Sequence, residues 1–410
     1  MKIFFANLNP CNTRKVNVRQ CRAFARECGH SEAASFEEAD LVLVWACEFR
    51  ADWRDFSFAV VKEIKERCSA KVVYIGCTFG DGSRSRISAE LGVPVIPWND
   101  GARTLDKFLS KNGLSLAEIP LEPAEEKLVD SASAYRKQHP LANVCFEDEY
   151  VKLSICEGCN GNCSYCSEKQ MFPAFRSFPE RELISECRKA MQKSKTRRVM
   201  FLGDSTGDYG ADTGSSLPRL IERLISEAAG DIEIGISQLN PEHFLKYSES
   251  MFSFIKSKNI RYINIPIQSA SDRVLRSMRR KYNAAGIEKI FSGFRGHGFT
   301  NFSTHLLLGY PGETSDDVDV SVEFVLRHAP KHVVVSAFMP HPTIAASGYE
   351  GQVSSEETSK RISECEKRLA EAGIAVATDW GSITQRLMNR IRNSLGLRLS
   401  EYSKGKGKNL

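Results

Sequence analysis

Residues 151–166 read Val-Lys-Leu-Ser-Ile-Cys-Glu-Gly-Cys-Asn-Gly-Asn-Cys-Ser-Tyr-Cys. The first six are rich in β-favouring apolar residues and read as a strand. The rest is a loop broken by Gly and Asn that carries Cys159, Cys163 and Cys166. A strand running straight into a reactive loop is the repeating unit of β/α folds, which place their chemistry at the C-terminal ends of the strands. Three thiolates this close in sequence can converge on one inorganic core. A [4Fe–4S] cluster held by three cysteines keeps one iron open to a ligand other than protein. Zinc is the rival metal, although structural zinc takes four ligands in two spaced pairs. Cys156 offers a fourth thiol, but it lies within the strand, on the alternating face shared with Lys152 and Ser154.

The β/α alternation continues downstream. Further strands are expected at Arg198–Leu202, Ile232–Ile236, Tyr262–Ile265, Asn301–Leu308 and His332–Phe338. Helical patterns at Pro179–Lys193, Leu217–Ala229, Ser271–Arg279 and Ser315–Arg327 separate most of them. Six strands make a partial (β/α)6 barrel, since closure needs about eight. Upstream, Lys2–Asn7, Leu41–Ala46 and Lys71–Gly76 are short, nearly continuous apolar runs, the pattern of strands buried on both faces of a parallel sheet. Amphipathic segments lie between them. The expected organisation is a small parallel α/β domain over 1–120, a linker over 121–147, the barrel over 148–350, and a helical segment with a basic tail over 351–410. Cys11, Cys47 and Cys77 each fall at or just beyond the end of a strand in the first domain. In an open parallel sheet those ends share one edge, so three separate strands point to a second metal site.

Composition narrows the class. Of 410 residues, 42% are hydrophobic and 26% charged, ordinary values for a folded chain without long disordered or coiled-coil tracts. No apolar run reaches the ~20 residues that cross a bilayer, and Met1–Pro10 does not read as a secretion signal, so a cytoplasmic, membrane-free protein is expected. A net charge of +5 permits an anionic partner without demanding one. Thirteen cysteines in a chain of this kind point to metal or redox chemistry rather than disulfides.

With these features in place, the chain resembles the methylthiotransferase branch of the radical S-adenosylmethionine (SAM) enzymes. The resemblance rests on Cys159-x-x-x-Cys163-x-Tyr165-Cys166 and, around it, on Glu157-Gly158-Cys159-Asn160, Phe201-Leu202-Gly203-Asp204, Pro266-Ile267-Gln268-Ser269, Asp272-Arg273-Val274-Leu275 and Gly309-Tyr310-Pro311-Gly312-Glu313-Thr314. It implies two [4Fe–4S] clusters, one on Cys159, Cys163 and Cys166 and an auxiliary one on Cys11, Cys47 and Cys77. The first would chelate SAM and, on reduction, yield a 5′-deoxyadenosyl radical. The auxiliary cluster would hold the sulfur that a second SAM methylates. The electron would come from an external flavodoxin- or ferredoxin-like donor.

By the same resemblance, Tyr165 would offer its ring to adenine and Gly203 its backbone to the methionine moiety. Asp204 would accept from the SAM amino group, Gln268 and Ser269 would reach ribose or carboxylate, and Gly309 would approach adenine. Such enzymes commonly end in a small RNA-binding β-barrel. Here Glu356–Ala372 and Ile383–Leu395 read helical instead, which favours a peptide or protein substrate over a tRNA adenosine. Other readings are plainer. Arg279-Arg280-Lys281 reads as a solvated helix end, Glu313 as a charge at a helix N-terminus, and His305 and His341 as possible substrate contacts near the barrel mouth.

Overall fold

The computed structural model describes residues 1–8, 12–48, 51–77, 80–97, 101–111, 113–119, 150–168, 174–194, 196–228, 231–341, 343–377 and 388–399. The expected linker over 121–147, Cys11 and the basic tail lie outside the described residues. The chain divides into two units, Met1–Glu122 with Gly381–Leu410, and Pro123–Trp380.

In the first unit β1 (Lys2–Asn7), β2 (Ser31–Glu32), β3 (Leu41–Cys47), β4 (Lys71–Cys77) and β5 (Val95–Pro97) form one parallel sheet in the order β2-β1-β3-β4-β5. Every residue of β3 is buried. Its Leu41, Leu43 and Trp45 join one apolar cluster and Val42, Val44 and Ala46 another. Both faces are therefore covered, which is why the run is continuously apolar rather than alternating.

Met388, Leu397 and Leu399 complete the second of these clusters, packing with Val60, Val61 and Ile64 of the Ala51–Arg67 helix. The backbone N–H groups of Arg398 and Leu399 donate to the Glu63 carboxylate at 2.8 and 2.6 Å. Arg67 donates to the Gly396 carbonyl at 2.7 Å. Residues 351–410 are thus shared between the units. Cys365, Leu369 and Ile374 belong to the core of the second unit, and the last described residues return to the first.

The second unit is built on β6 (Val151–Ser154), β9 (Arg198–Leu202), β10 (Glu233–Ile236), β11 (Ile260–Asn264), β12 (Phe302–Leu308), β13 (His332–Ala337) and β14 (Ala375–Ala377), with a small hairpin of β7 (Cys156–Glu157) and β8 (Arg176–Ser177) beside them. The seven strands are parallel and neighbour one another in chain order, the winding of a β/α barrel, and among the described residues β6 and β14 do not pair to close it. This is the expected partial barrel with one further short strand, β14, which follows the Ser355–Glu371 helix. The helices pack outside the sheet through an aromatic layer in which Phe244, Phe291, Phe294 and Phe302 lie with ring centroids 5.0–5.8 Å apart along the contacts that link them. Among the described residues no helix is long and apolar enough to cross a membrane.

Candidate active site

The loop that follows β6 and β7 carries the three cysteines, and it is held from four directions. Gly158 turns the chain with φ 80 and donates its N–H to the Asp204 carboxylate at 2.8 Å. The Asn160 N–H donates to the Asp208 carboxylate at 3.1 Å. Both acceptors come from the loop after β9. Ser164, between two of the cysteines, is pinned from the ends of three further strands. Its N–H and hydroxyl donate to the carbonyls of Met278 and Ser277 at 3.2 and 2.9 Å. Its hydroxyl shares a 2.8 Å bond with the Tyr310 hydroxyl, and its carbonyl accepts the Ala346 N–H at 2.9 Å. These bonds fix the shape of the loop.

Each of the three sulfurs receives a donor. The Gly161 N–H points to Cys159 Sγ at 3.2 Å, Arg280 Nη1 to Cys163 Sγ at 3.1 Å, and the Glu168 N–H to Cys166 Sγ at 3.4 Å. A Cβ on Gly161 would lie 3.1 Å from Cys159 Sγ and 3.8 Å from Cys163 Sγ, so the two sulfurs border one small space that the missing side chain leaves open. Burial pushes the Cys159 thiol up to about 11, with Asp208 and Cys163 opposing its ionisation further. Burial raises Cys166 as well, and Glu168 and the other two thiols add to it. Cys159 and Cys166, both raised, become thiolates readily only when a cationic core takes up the charge. Among the described residues no three His, Cys, Asp or Glu groups are drawn in tightly enough to hold a single metal ion. The donors to the three sulfurs and the open space beside Gly161 suit a group held by three thiolates, the chemistry of a [4Fe–4S] cluster with one iron free of protein ligands.

Cys156 stands apart from the triad. It is buried, its Sγ donates to the Ser205 carbonyl at 3.4 Å, and it packs in the barrel core. That Sγ also occupies the space beside Gly203, where a Cβ would lie 2.5 Å from it. Asp204, as noted, spends one oxygen on Gly158. Tyr165 sits at the edge of an apolar cluster with Tyr310 and Phe338, its hydroxyl accepting from Arg280 at 3.1 Å. Gln268 has φ 72, a left-handed conformation that a non-glycine residue holds only under constraint; its own N–H is tied to the His305 carbonyl at 2.9 Å. Ser269 turns inward, its hydroxyl bonded to Ser321 at 3.1 Å and accepting the Ser271 N–H at 3.1 Å.

Gly309 has φ +77 and a Thr358 hydroxyl 2.3 Å from where a Cβ would stand, so the Ser355–Glu371 helix backs this turn. Glu313 accepts the Gly309 N–H at 2.6 Å and pairs with Arg361 of the same helix at 3.4 Å. Its role is therefore to brace the turn, and burial pushes its carboxyl up to about 7. His305 is held to Asn264 at 3.0 Å inside the barrel, where burial lowers it to about 3, leaving a neutral ring; His341 bonds to the Thr343 hydroxyl at 2.8 Å.

The reading of 279–281 as a solvated helix end holds for Arg279 and Lys281, both exposed, and fails for Arg280, which turns into the site. Neither Arg280 nor the anchors Asp208, Ser164 and Tyr310 stood out in sequence. A basic run gives no sign of which member points inward, and the hydroxyls are ordinary until the fold aligns them.

In the first unit, Cys47 and Cys77 are Cα partners at the last residues of neighbouring parallel strands. Next to Cys47 the buried Glu48 carboxylate accepts from Ser83 Oγ at 2.6 Å and lies 3.5 Å from Arg86. Cys11, the third member of the expected set, is outside the described residues.

The radical SAM superfamily model matches residues 153–325. Among curated proteins, the chain is 26% identical to a probable threonylcarbamoyladenosine tRNA methylthiotransferase of Pyrococcus horikoshii over 84% of its own length and 79% of that protein. It is 26% identical to the ribosomal protein uS12 methylthiotransferase RimO of Dictyoglomus thermophilum, covering 86% of the chain and 79% of that protein. It is 28% identical to the human threonylcarbamoyladenosine tRNA methylthiotransferase, covering 80% of the chain and 56% of that protein. Among solved structures, the radical SAM methyltransferase TsrM of Kitasatospora setae superposes with a TM-score of 0.60 at 12% identity, over 85% of this chain and 77% of that one, a likeness of fold.

Proposed function

Since the chain belongs to the methylthiotransferase-like family of radical SAM enzymes, binding SAM and a [4Fe–4S] cluster, we infer that it replaces hydrogen by a methylthio group at an unactivated carbon of a macromolecule, with tRNA adenosine as the substrate class. The observation that carries this reading is the pairing of Cys47 with Cys77 at strand ends, in a chain whose barrel loop carries three further cysteines, each with a donor on its sulfur. Methylthio transfer needs a radical source and a second place to hold sulfur.

Cys159, Cys163 and Cys166 would hold three irons of the barrel cluster and leave the fourth for a non-protein ligand. When bound, that cluster and SAM supply the radical chemistry that breaks a C–H bond too weakly acidic for any side-chain base. The protein's share is orientation and exclusion of water. Ser164, Asp204 and Asp208 fix the loop backbone, Tyr165 lines it, and Gln268 and Gly309 border the mouth at the ends of β11 and β12. Cys11, Cys47 and Cys77 would hold the auxiliary cluster. The overall change removes one hydrogen and adds S–CH3, which calls for a sulfur atom carried at the auxiliary site, one SAM as methyl donor, one as radical source, and an external one-electron donor; the electron left when the substrate radical takes the S–CH3 group would pass to the auxiliary cluster.

Two observations favour RNA. The Pyrococcus and human relatives are named for a tRNA nucleoside, and Arg276, Arg279 and Lys281 are exposed beside the residues that anchor Ser164, where they suit phosphates. The uS12-directed relative supports a protein side chain as the second reading.

The test is anaerobic incubation with SAM and reductant, followed by mass spectrometry of tRNA nucleosides and of ribosomal proteins. The expected result is a nucleoside heavier by one CH2S unit. That gain on protein alone moves the conclusion to the second reading, and no sulfur-bearing product on either refutes both. Cys159→Ala should abolish reductive SAM cleavage, whereas Cys47→Ala should spare cleavage and lose methylthiolation.

A further inference from the structure

Arg280 is the most heavily committed side chain at the site. A guanidinium carries five N–H donors in a fixed fork, and here every one has an acceptor. Nε donates to the Tyr282 hydroxyl at 2.7 Å. Nη1 donates to Cys163 Sγ and to the Tyr165 hydroxyl, both at 3.1 Å. Nη2 donates to Asn240 Oδ1 at 2.8 Å and to the Pro266 carbonyl at 3.4 Å. The local backbone is arranged to put it there. Arg279 holds φ 58, a left-handed conformation costly for a residue with a side chain, and this kink sends Arg279 outward and Arg280 inward.

The acceptors are a thiol, two phenols, an amide and a peptide carbonyl. Among the described residues no carboxylate lies within ion-pair distance of Arg280. A guanidinium cannot shed its proton, and a buried charge without a countercharge is expensive. The one partner that changes from neutral to anionic when the site is loaded is the Cys163 sulfur. All five donors are satisfied within the chain, so none is left over to clamp a substrate or SAM carboxylate.

We propose that Arg280 is the built-in countercharge of the barrel cluster, a positioning residue that acts through Cys163 Sγ to make reduction of that cluster easier. The proposal rests on the reading that Cys159, Cys163 and Cys166 bind the [4Fe–4S] cluster. Reduction adds negative charge that spreads onto the ligand sulfurs, so a donor strengthens its bond in the reduced state and raises the potential. Among the described residues Cys159 and Cys166 receive neutral backbone donors and only Cys163 receives a full positive charge, and a charge-assisted bond is about twice as strong.

The experiment uses the full chain in a Cys47→Ala background, so that the auxiliary site does not obscure the signal. After anaerobic reconstitution, iron per chain is counted and the barrel cluster is titrated against potential by electron paramagnetic resonance. Arg280→Met keeps the stem and removes the charge. It should retain iron while its reduced-to-oxidised ratio falls about tenfold at the poise that half-reduces the parent, a shift of about 59 mV for one electron. Arg280→Lys, which keeps the charge and loses the fork, should fall between.

Arg280→Met with full iron and the parent's potential would overturn the proposal. So would a loss of SAM affinity at unchanged potential, which would make Arg280 a ligand contact instead. Should Arg280→Met fail to hold a cluster, Arg280→Lys and Asn240→Ala decide the matter: lowered potentials at full iron support it, unchanged ones overturn it. The underlying reading fails separately, if the parent takes up no cluster or if Cys159→Ala leaves its iron content untouched.

Discussion

Gly203→Ala separates two explanations for one glycine. The family resemblance assigns Gly203 to close approach by SAM; the fold gives the space beside it to Cys156. An added Cβ would stand 2.5 Å from Cys156 Sγ, 3.2 Å from the Cys156 carbonyl oxygen and 3.4 Å from Thr206 Cγ2. The sulfur is buried in the barrel core, so the strain is that of an overpacked core, about 1–3 kcal/mol. At ~2–4 °C per kcal/mol for a unit of this size, Gly203→Ala should lower the melting temperature by about 2–12 °C. Cys156→Ala removes the obstructing atom and leaves only contacts that a shift of a few tenths of an ångström relieves. The double variant should therefore recover most of the loss, with a coupling energy of about 1–3 kcal/mol in a double-mutant cycle. Scanning fluorimetry of the four proteins, with iron content and SAM affinity in parallel, reads the result. Additive penalties would refute the packing argument. Recovered stability with SAM affinity still lost would give Gly203 its second role as well.

Further expectations concern the braces of each unit. Burial pushes the Glu313 carboxyl up to about 7 from an ordinary 4.5, so it favours the folded state while protonated; its own contribution to the second unit's stability is greatest below about pH 4.5 and falls by about 3 kcal/mol as pH rises to about 7. Glu313→Gln should flatten that dependence in denaturant titrations, and Arg361→Ala should cost more at pH 8 than at pH 5, because it strips the partner from the ionised carboxylate. Glu63 behaves in the opposite sense: burial opposes its charge, but the N–H groups of Arg398 and Leu399 and the Arg67 guanidinium outweigh it and lower its pKa. Its contribution is present above pH ~4.3 and lost as pH falls through the lowered value, so hydrogen exchange of residues 388–399 should accelerate in acid ahead of the rest of the first unit, and Glu63→Gln should abolish the difference. Tyr310→Phe removes a hydroxyl bonded to Ser164 and to the Ser277 carbonyl, both at 2.8 Å, and should cost about 1–3 kcal/mol and slow cluster reconstitution followed by absorbance.

Much of this protein was determined by the sequence by itself, wherever the controlling interaction is local. Apolar runs such as Leu41–Cys47 commit to buried strands because nothing else hides that much contiguous hydrocarbon, and the spacing of Cys159, Cys163 and Cys166 puts three thiols in one loop whatever surrounds it. The parallel architecture and the placing of three cysteines in one loop after a strand follow from such patterns.

What only the tertiary structure decided depends on partners far away in the chain. It sent Cys156 into the core rather than the site, gave Ser269 to Ser321, set the Ser355–Glu371 helix behind Gly309 and Glu313, and returned residues 388–399 to the first unit. It also picked one arginine from a run of three cations and aimed one of its nitrogens at Cys163 and Tyr165 of the cysteine loop. Local propensity is blind to those choices, because each is settled by which desolvated polar group finds its complement across the fold.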